Sequence, residues 1–324
     1  MSVRVGTFNL NNLFSRYNFQ ANVRQNPLGN SGGLTLSFSE DEFIARTFNG
    51  SLIKEKNEQD TETVAHRIRQ VMNADVLAVQ EVEHIMILKQ FNRQYLNSMY
   101  RHVVLIEGND SRFIDVGILS RLPLGAVTSH QTATHPDDPA RRVFSRDLLQ
   151  VEVLDDRGDK LFNLYNTHLK SNFVPFFEDQ VEGARLANAR RLRQAQTVGR
   201  ILSRMERPGS RFLLTGDMND PPDSPHIQDM LIADNRPLVN VLADAQETRP
   251  AKAETRGQGD GPTSRVWTHR FNPAGPAVPR YELLDQIWAS QSLAPFAINP
   301  MIDRRTRHGG DGSDHDPAWI DLDL

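Results

Sequence analysis

The chain has no cysteine. That excludes disulfide staples, cysteine-held zinc, iron–sulfur clusters and thiol nucleophiles. A metal ion would have to be held by oxygen or imidazole. No apolar run approaches the roughly 18 residues that a membrane-spanning helix needs. The opening MSVRVGTFNL lacks the basic n-region and the long apolar stretch of a signal peptide, which fits a cytoplasmic chain or a secreted one with its signal removed. Lysine is scarce, with 6 residues against 31 arginines. Arginine's planar fork suits phosphate, although a ratio of this kind is read first as genome composition.

What is present is a globular profile. The 324 residues are 38% hydrophobic and 24% charged, enough to bury a core. Net charge is −4, which by itself argues against a polyanionic partner. The charge is unevenly spread, however. Residues 185–211 hold eight arginines against the single acid Glu206, a local +7 that leaves −11 for the rest.

Short apolar strands alternate with amphipathic helices. Strands are expected at Val3–Phe8, Val76–Val79, Val116–Leu119, Leu148–Leu154, Leu161–Leu169, Phe212–Leu214, Gln286–Ala289 and Ala318–Leu322. A helix over Thr61–Met72 would place Val64, Ala65, Ile68 and Met72 on one face, with Asp60 as its N-cap. Residues 84–99 repeat that spacing, and Arg185–Met205 forms a longer amphipathic helix ended by Pro208-Gly209. Residues 15–52 and 251–280 read as long loops of the functional kind. Strand patterns that need partners flank both, so the expectation is one domain over 1–324.

Polar residues recur at the ends of these strands. Asn9 and Asn11 follow the first, Glu81 the second, and Asp217 and Asn219 close the Phe212 strand. His168 ends another, Asp285 precedes Gln-Ile-Trp-Ala, and Asp314-His315 stands just before the last. Strand ends are where layered sheet proteins assemble sites from residues distant in sequence.

Taken in order, the motifs resemble the endonuclease/exonuclease/phosphatase superfamily. They are Thr-Phe-Asn-Leu-Asn at 7–11, Val-Gln-Glu-Val-Glu at 79–83, Asp-Val-Gly-Ile-Leu-Ser-Arg at 115–121 and Phe-Ser-Arg-Asp-Leu-Leu-Gln-Val at 144–151. Asn-Thr-His-Leu-Lys-Ser at 166–171, Gly-Asp-Met-Asn-Asp at 216–220, Leu-Asp-Gln-Ile-Trp-Ala-Ser at 284–290 and Ser-Asp-His-Asp-Pro at 313–317 complete the set. The superfamily includes deoxyribonuclease I, abasic-site endonucleases, sphingomyelinases and inositol polyphosphate phosphatases. The Arg-Phe-Ile-Asp-Val-Gly run at 112–117 resembles its bacterial branch related to extracellular nucleases.

The resemblance implies an α/β fold, a four-layer sandwich of two packed mixed β-sheets flanked by helices. It implies a divalent-metal hydrolase of phosphodiesters, with Glu81, Asn9 and Asp314 toward Mg²⁺ or Mn²⁺, or toward Ca²⁺ as the alternative. Asp217 matches the general base for the attacking water and Asn219 an amide on the phosphate or on a second metal. His315 and its partner Asp285 match the imidazole–carboxylate pair, and His168 a second phosphate-facing imidazole. Arg112, Arg146 and Asn11 are the expected phosphate contacts, with a structural ion pair to Asp110 or Asp115 as the alternative for Arg112.

Three departures stand out: Phe113 replaces a tyrosine, Asn11 an aspartate, and Asp115 a glycine. The first expectation for function is a monomeric nuclease acting on DNA or RNA, with no obligate protein partner. A sphingomyelinase-like phosphodiesterase on a lipid headgroup or small phosphoester is the alternative, and an inactive binding scaffold the minor one. The 185–207 arginine helix is expected to show only a solvated outer face. Arg141, Arg142 and Arg146 are expected to do more of the substrate contact.

Overall fold

The computed structural model describes residues 1–14, 20–24, 33–37, 56–110, 112–174, 178–249, 266–271, 280–304 and 311–324. The first half of the chain runs β1 (Ser2–Leu13), β2 (Gln20–Arg24), β3 (Gly33–Ser37), α1 (Glu58–His66), β4 (Val76–Val82), α2 (Ile85–Gln94), β5 (His102–Leu105), β6 (Asp115–Ser120) and β7 (Leu124–Ser129). It continues with β8 (Thr134–His135), β9 (Asp138–Arg142), β10 (Leu148–Leu154), β11 (Lys160–His168), α3 (Gln180–Met205) and β12 (Phe212–Asp217). Then come the short β13 (Ile232–Ala233), β14 (Arg236–Pro237), β15 (Val239–Asn240), β16 (Gln246–Glu247), β17 (His269–Phe271) and β18 (Arg280–Glu282). β19 (Asp285–Ala289), β20 (Ala297–Ile302) and β21 (Ala318–Asp323) finish the chain.

Two mixed sheets dominate. One has the strand order β16-β20-β21-β1-β4-β6-β5, the other β15-β19-β12-β11-β10-β7. Side chains alternate across each strand, so each sheet buries both of its faces. Val3, Val5, Val76, Ile118, Val151, Leu164, Leu213 and Ile287 meet between the sheets. Phe8, Leu10, Leu77, Val79 and Trp319 turn outward and pack against Val64, Ile68, Leu88 and Phe91 of the first two helical segments. Leu148, Tyr165, Phe212 and Leu214 pack outward against Ala195, Val198 and Leu202 of α3. The layers are therefore helix, sheet, sheet and helix, which is the expected sandwich.

All the expected strands form: Leu148–Leu154 keeps its bounds, Leu161–Leu169 is displaced by one residue to Lys160–His168, and the rest are extended by one to five residues at an end. The first helix differs in detail. It starts at Glu58 because Asn57, not Asp60, is the N-cap, its side chain accepting from Asp60 N. Its last stretch, Arg67–Met72, is a π-helical turn. That turn points Arg67 inward to Asp303 and Asp316, at 2.8 and 3.0 Å. Within the expected loop at 15–52, β2 and β3 form an antiparallel hairpin. The rest of 15–52, apart from the hairpin, lies outside the described residues, as does most of 251–280.

One polar bridge crosses the apolar interior. Asn166 of β11 donates to Val79 O at 3.0 Å and Gly117 O at 2.8 Å on the opposite sheet. It also accepts from Gln80 Nε2 at 2.8 Å. Asn166 is fully buried, and satisfied buried amides fix a unique register between layers. Asn166→Ala takes a hydrogen-bond partner from Gln80 and from both carbonyls in the core, so unfolding free energy should fall by about 1–3 kcal/mol. Chemical denaturation reads this, and an unchanged midpoint would remove the bridge from the account.

Candidate active site

Strand direction alone gathers the polar residues on one rim. β1 and β4 run parallel, as do β11 and β12. Asn9, Glu81, His168 and Asp217 lie at or near the C-terminal ends of these four strands. β6, β10, β19 and β21 run antiparallel to their neighbours, so the same rim receives what precedes them. Those residues are Arg112, Arg146, Asp285 and His315.

Local backbone irregularity aims the metal-type ligands. The β1–β4 register shifts between Asn9 and Leu13, and the β4–β6 register between Gln80 and Val82. Glu81 itself has φ +60°, and Asn11 and Asn12 have φ +46° and +59°. A left-handed glutamate is strained, and such strain collects where a side chain must be re-aimed. The Glu81 carboxylate accepts Asn12 N at 3.0 Å through Oε2. At Asp217 the glycine before it is obligatory. Gly216 has φ +132°, and a Cβ there would lie 1.9 Å from Thr167 O.

The two sheets are tied together at the rim. Asn9 Nδ2 from one sheet donates to Asp217 Oδ2 on the other at 3.0 Å. Asp217 Oδ1 accepts Asn219 N at 2.9 Å. His168 Nε2 and His315 Nε2 lie 3.4 and 3.8 Å from Asp217 Oδ2. On its other side, His315 Nδ1 is 2.6 Å from Asp285 Oδ2. Asp285 is fully buried and pairs with Asp217 in the β12–β19 register.

Burial and neighbours divide the protons. Desolvation opposes the charge on His315, but Asp285, Asp217 and Asp314 outweigh it and hold the imidazolium well above its ordinary pKa. Burial pushes the Asp217 carboxyl up to about 6, opposed by His315 and reinforced by Asp285. His168 goes the other way. Burial, Arg146 and His315 hold it well below its ordinary value, so it is a neutral ring. Its Nε2 faces Arg146 Nη2 at 3.4 Å, and its buried Nδ1 has no hydrogen-bond partner among the described residues.

Arg146 is itself buried, near Ser145 Oγ and Leu169 O at 3.3 and 3.5 Å, with its Nε unbonded 3.5 Å from Asp110 Oδ2. Arg112 makes a two-pronged pair with Asp110, at 3.0 and 3.1 Å, and stays half-exposed. Its charge still reaches Glu81. Asp115 pairs with neither Arg112 nor His168. It accepts Gly108 N at 2.8 Å, and burial raises its carboxyl to about 7. Asn219 is placed at the rim, but its amide NH₂ donates to Leu169 O at 3.1 Å. Asn11 sits behind Asn9, donating its backbone N–H to Asn9 Oδ1 at 2.9 Å.

Two further residues enter that were not among the expected site residues. Lys56 Nζ donates to Asn11 O at 2.8 Å. Burial lowers its pKa, against the pull of Asp60, Asp314 and Glu81. The His269 ring lies 4.7 Å from that of His315, with Nε2 3.8 Å from Asp314 Oδ2. Beneath the Asp314–His315 segment, Asp316 takes Arg67 and Arg304 at 3.0 and 3.4 Å. The Arg304 guanidinium stacks on Trp267 at 3.8 Å. The Ser-Asp-His-Asp-Pro motif marked Asp316, but nothing local marked the arginines that clamp it.

The donors suit a hard cation. Burial, then Asp314 and Asp217, raises the Glu81 carboxyl. A cation among these oxygens would relieve that repulsion. Asp217, Asp285 and His315 also cluster within metal-binding range, as do His269, Asp314 and His315. In both groups His315 is already committed to Asp285 as a protonated ring, so Glu81, Asn9 and Asp314 remain the better oxygen set.

The endonuclease/exonuclease/phosphatase family model matches residues 6–315. The chain belongs to that family. Members of the endonuclease/exonuclease/phosphatase family act on phosphate esters, and this rim of carboxylates, imidazoles and arginines suits that work. Solved structures agree on the fold. An abasic-site endonuclease from Archaeoglobus fulgidus is 16% identical with TM-score 0.56, covering 99% of this chain and 100% of that one. A family protein from Bacteroides vulgatus is 16% identical with TM-score 0.58, covering 100% and 99%. A 3′ phosphatase from Neisseria, solved bound to a product DNA hairpin, is 15% identical with TM-score 0.55, covering 99% of each chain or better. No curated protein sequence matches this one.

Because Asp285 supplies the largest upward pull on His315, Asp285→Asn should return the ring toward the ordinary histidine range. Imidazole NMR titration of the metal-free protein reads this, and an unmoved titration would remove Asp285 as the source of the charge. The sign for stability follows. The His315 contribution is complete below about pH 6.5 and fades as pH rises through the raised value.

Proposed function

We propose that the chain, as one catalytic unit over 1–324, is a divalent-metal-dependent phosphodiesterase acting on nucleic acid, DNA first. The observation that carries this is the buried imidazolium of His315, gripped by Asp285 at 2.6 Å and facing Asp217 at 3.8 Å beside buried Arg146. A cationic donor, a carboxylate of raised pKa and a fixed guanidinium converge on one spot. That spot suits a phosphoryl group undergoing attack by water.

A hard divalent ion, Mg²⁺ or Mn²⁺, with Ca²⁺ as the alternative, would be held by Glu81, Asn9 and Asp314 and supplies charge neutralisation for the reacting oxygens. The chain's own residues do the rest. His315 donates hydrogen bonds and charge to a non-bridging phosphoryl oxygen, and Asp285 keeps it protonated while that charge builds. Arg146 faces the same group as a fixed cation. Asp217, ionised, accepts the proton of the attacking water, and Asn9 Nδ2 and Asn219 N hold its two oxygens in place. His168, being neutral, acts through hydrogen bonding and by backing Arg146, not as a second cation. Asn219 orients Asp217 with its backbone N–H rather than meeting phosphate with its side-chain NH₂. Arg112 reaches the phosphate only with its Asp110 pair intact.

The direct test is plasmid DNA, RNA and sphingomyelin vesicles, each with Mg²⁺, Mn²⁺ or EDTA. Metal-dependent cleavage of plasmid is expected. Intact nucleic acid under every condition overturns the nuclease reading, and cleavage of sphingomyelin alone replaces it. Asp217→Asn and His315→Ala should each lower turnover by about 10²–10⁴-fold with the fold intact. Glu81→Gln should weaken activation by the metal. The acid limb of the pH–rate profile should fall at or below about 6, because bound cation can only pull Asp217 down from its metal-free position. Near-wild-type rates in these variants would remove the assigned roles.

A further inference from the structure

The arginine-rich α3 does more than present a solvated face, because its arginines divide into two kinds. Arg191 turns inward, fully buried, to Asp220 at 2.9 Å, Lys170 O at 2.6 Å and Asn172 Oδ1 at 2.6 Å. It is a strut between the helix and the loops after β11 and β12. Arg185 pairs with Glu182 at 2.6 Å, and Arg200 bonds Thr197 at 2.8 Å. Arg190 and Arg193 differ. Among the described residues, neither guanidinium has a hydrogen-bond acceptor or an ion-pair partner.

Three residues apart, Arg190 and Arg193 share one side of the helix. They face a second pair across a groove of about 260 Å³, Arg141 and Arg142 of β9. Within this groove four guanidinium groups meet a single carboxylate, Asp138, which comes no nearer to Arg141 Nε than 3.9 Å. Concentrated like charge of this kind destabilises the empty groove and favours an anion in it.

The walls are braced rather than floppy. His135 Nε2 meets Gln196 Oε1 of α3 at 2.9 Å, while His135 Nδ1 accepts Asp137 N at 3.2 Å. Gln194 Nε2 donates to Val143 O at 3.2 Å. The β8–β9 hairpin is thus pinned to the helix, which holds together the two elements that carry the four arginines. The one apolar residue of the lining, Val143, is buried, so the groove offers nothing to an acyl chain.

The groove is also wired to the reacting rim. Arg142 donates to Asn109 Oδ1, and Asn109 N donates to Ser145 O at 2.7 Å. The next residue, Asp110, holds Arg112 and lies 3.5 Å from Arg146 Nε. Arg190 feels both Asp110 and Arg112 electrostatically, and Lys170 feels Arg146, Arg112 and Arg190. A cationic path therefore leads from Arg146 through Arg112 and Lys170 to the groove.

We propose that the groove between α3 and β9 is a phosphate subsite in which Arg141, Arg142, Arg190 and Arg193 grip a non-scissile backbone phosphate of a nucleic-acid strand. The proposal rests on the phosphodiesterase reading of the rim and adds polymer selectivity to it. A polymer carries a second phosphate beside the reacting one, whereas a small diester or a lipid headgroup does not. The arginine fork is the side chain best shaped to hold it.

The test compares wild type with R190S/R193S and R141S/R142S on a short oligonucleotide and on bis(p-nitrophenyl) phosphate. With the oligonucleotide, KM should rise about tenfold at low salt with kcat little changed, and log KM should depend on log salt with a slope shallower by about one. Rates on the small diester should stay within about twofold, since it has no second phosphate. Unchanged oligonucleotide KM and salt slope overturn the subsite, and so does an equal loss on both substrates. If wild type cleaves neither nucleic acid nor the small diester, the phosphodiesterase reading fails. Anisotropy of a labelled oligonucleotide in EDTA then judges the groove alone. Weaker binding by both double variants supports it, and unchanged binding overturns it. Thermal unfolding within a few degrees of wild type confirms that the variants are folded.

Discussion

The structure turns on keeping a positive imidazole ring inside protein. His315 is buried, and an isolated buried charge is costly enough that the ring would otherwise give up its proton. Asp285 and Asp217 prevent that, one at hydrogen-bond distance and the other slightly farther. Their own cost is visible in Asp217, whose carboxyl rises to about 6. Ionising it therefore works against the fold as pH climbs from about 4 to about 6, while the His315 contribution persists to higher pH. A site poised in this way holds its charges against their preferences. That is the condition for using them on a substrate instead of neutralising them internally.

Keeping that ring in place constrains the sandwich around it. Asp285 and Asp217 must face each other across β12 and β19, which the antiparallel register provides. Asp217 must also meet Asn9, so the two sheets have to approach at this rim and cannot slide. The Asn166 bridge to Val79 O and Gly117 O fixes their relative shift from within. Below His315, Arg67 and Arg304 clamp Asp316. The π-helical turn after α1 delivers Arg67 to that position. The backbone is strained at Glu81 and extreme at Gly216 because side chains on regular strands would point to the faces of the sheets, not across their ends.

Much of this was legible in the sequence. Short apolar runs located the strands, because a strand buried on both faces reads as apolar along its length. The site residues were legible as polar interruptions at strand ends. The misses share one cause: they concern partners that are distant in sequence and lie on segments without a period. Lys56 borders a long loop, and nothing local says that its amine returns to Asn11. His269 lies in Trp-Thr-His-Arg-Phe, where only the three-dimensional neighbour His315 gives it meaning. Asp115 looked like an ion-pair partner for Arg112, but Gly108 supplies a backbone N–H that no side-chain pattern encodes. Protonation was not legible either. Asp285 was expected as the partner of His315, but nothing in the sequence said that burial beside Arg146 leaves His168 neutral.

Net charge is the clearest case of a global number hiding a local one. A chain of −4 looks ill suited to a polyanion. Its acids, however, are spent where they face cations. Asp285, Asp217 and Asp314 surround His315, Asp220 neutralises Arg191, and Asp303 and Asp316 neutralise Arg67. With these pairs set aside, Arg190 and Arg193 face Arg141 and Arg142 without an acidic partner of their own among the described residues. The potential that an approaching strand meets comes from unpaired groups within about a Debye length, not from the sum over the chain. On α3, buried Arg191 holds the fold while its neighbours Arg190 and Arg193 remain available to a ligand.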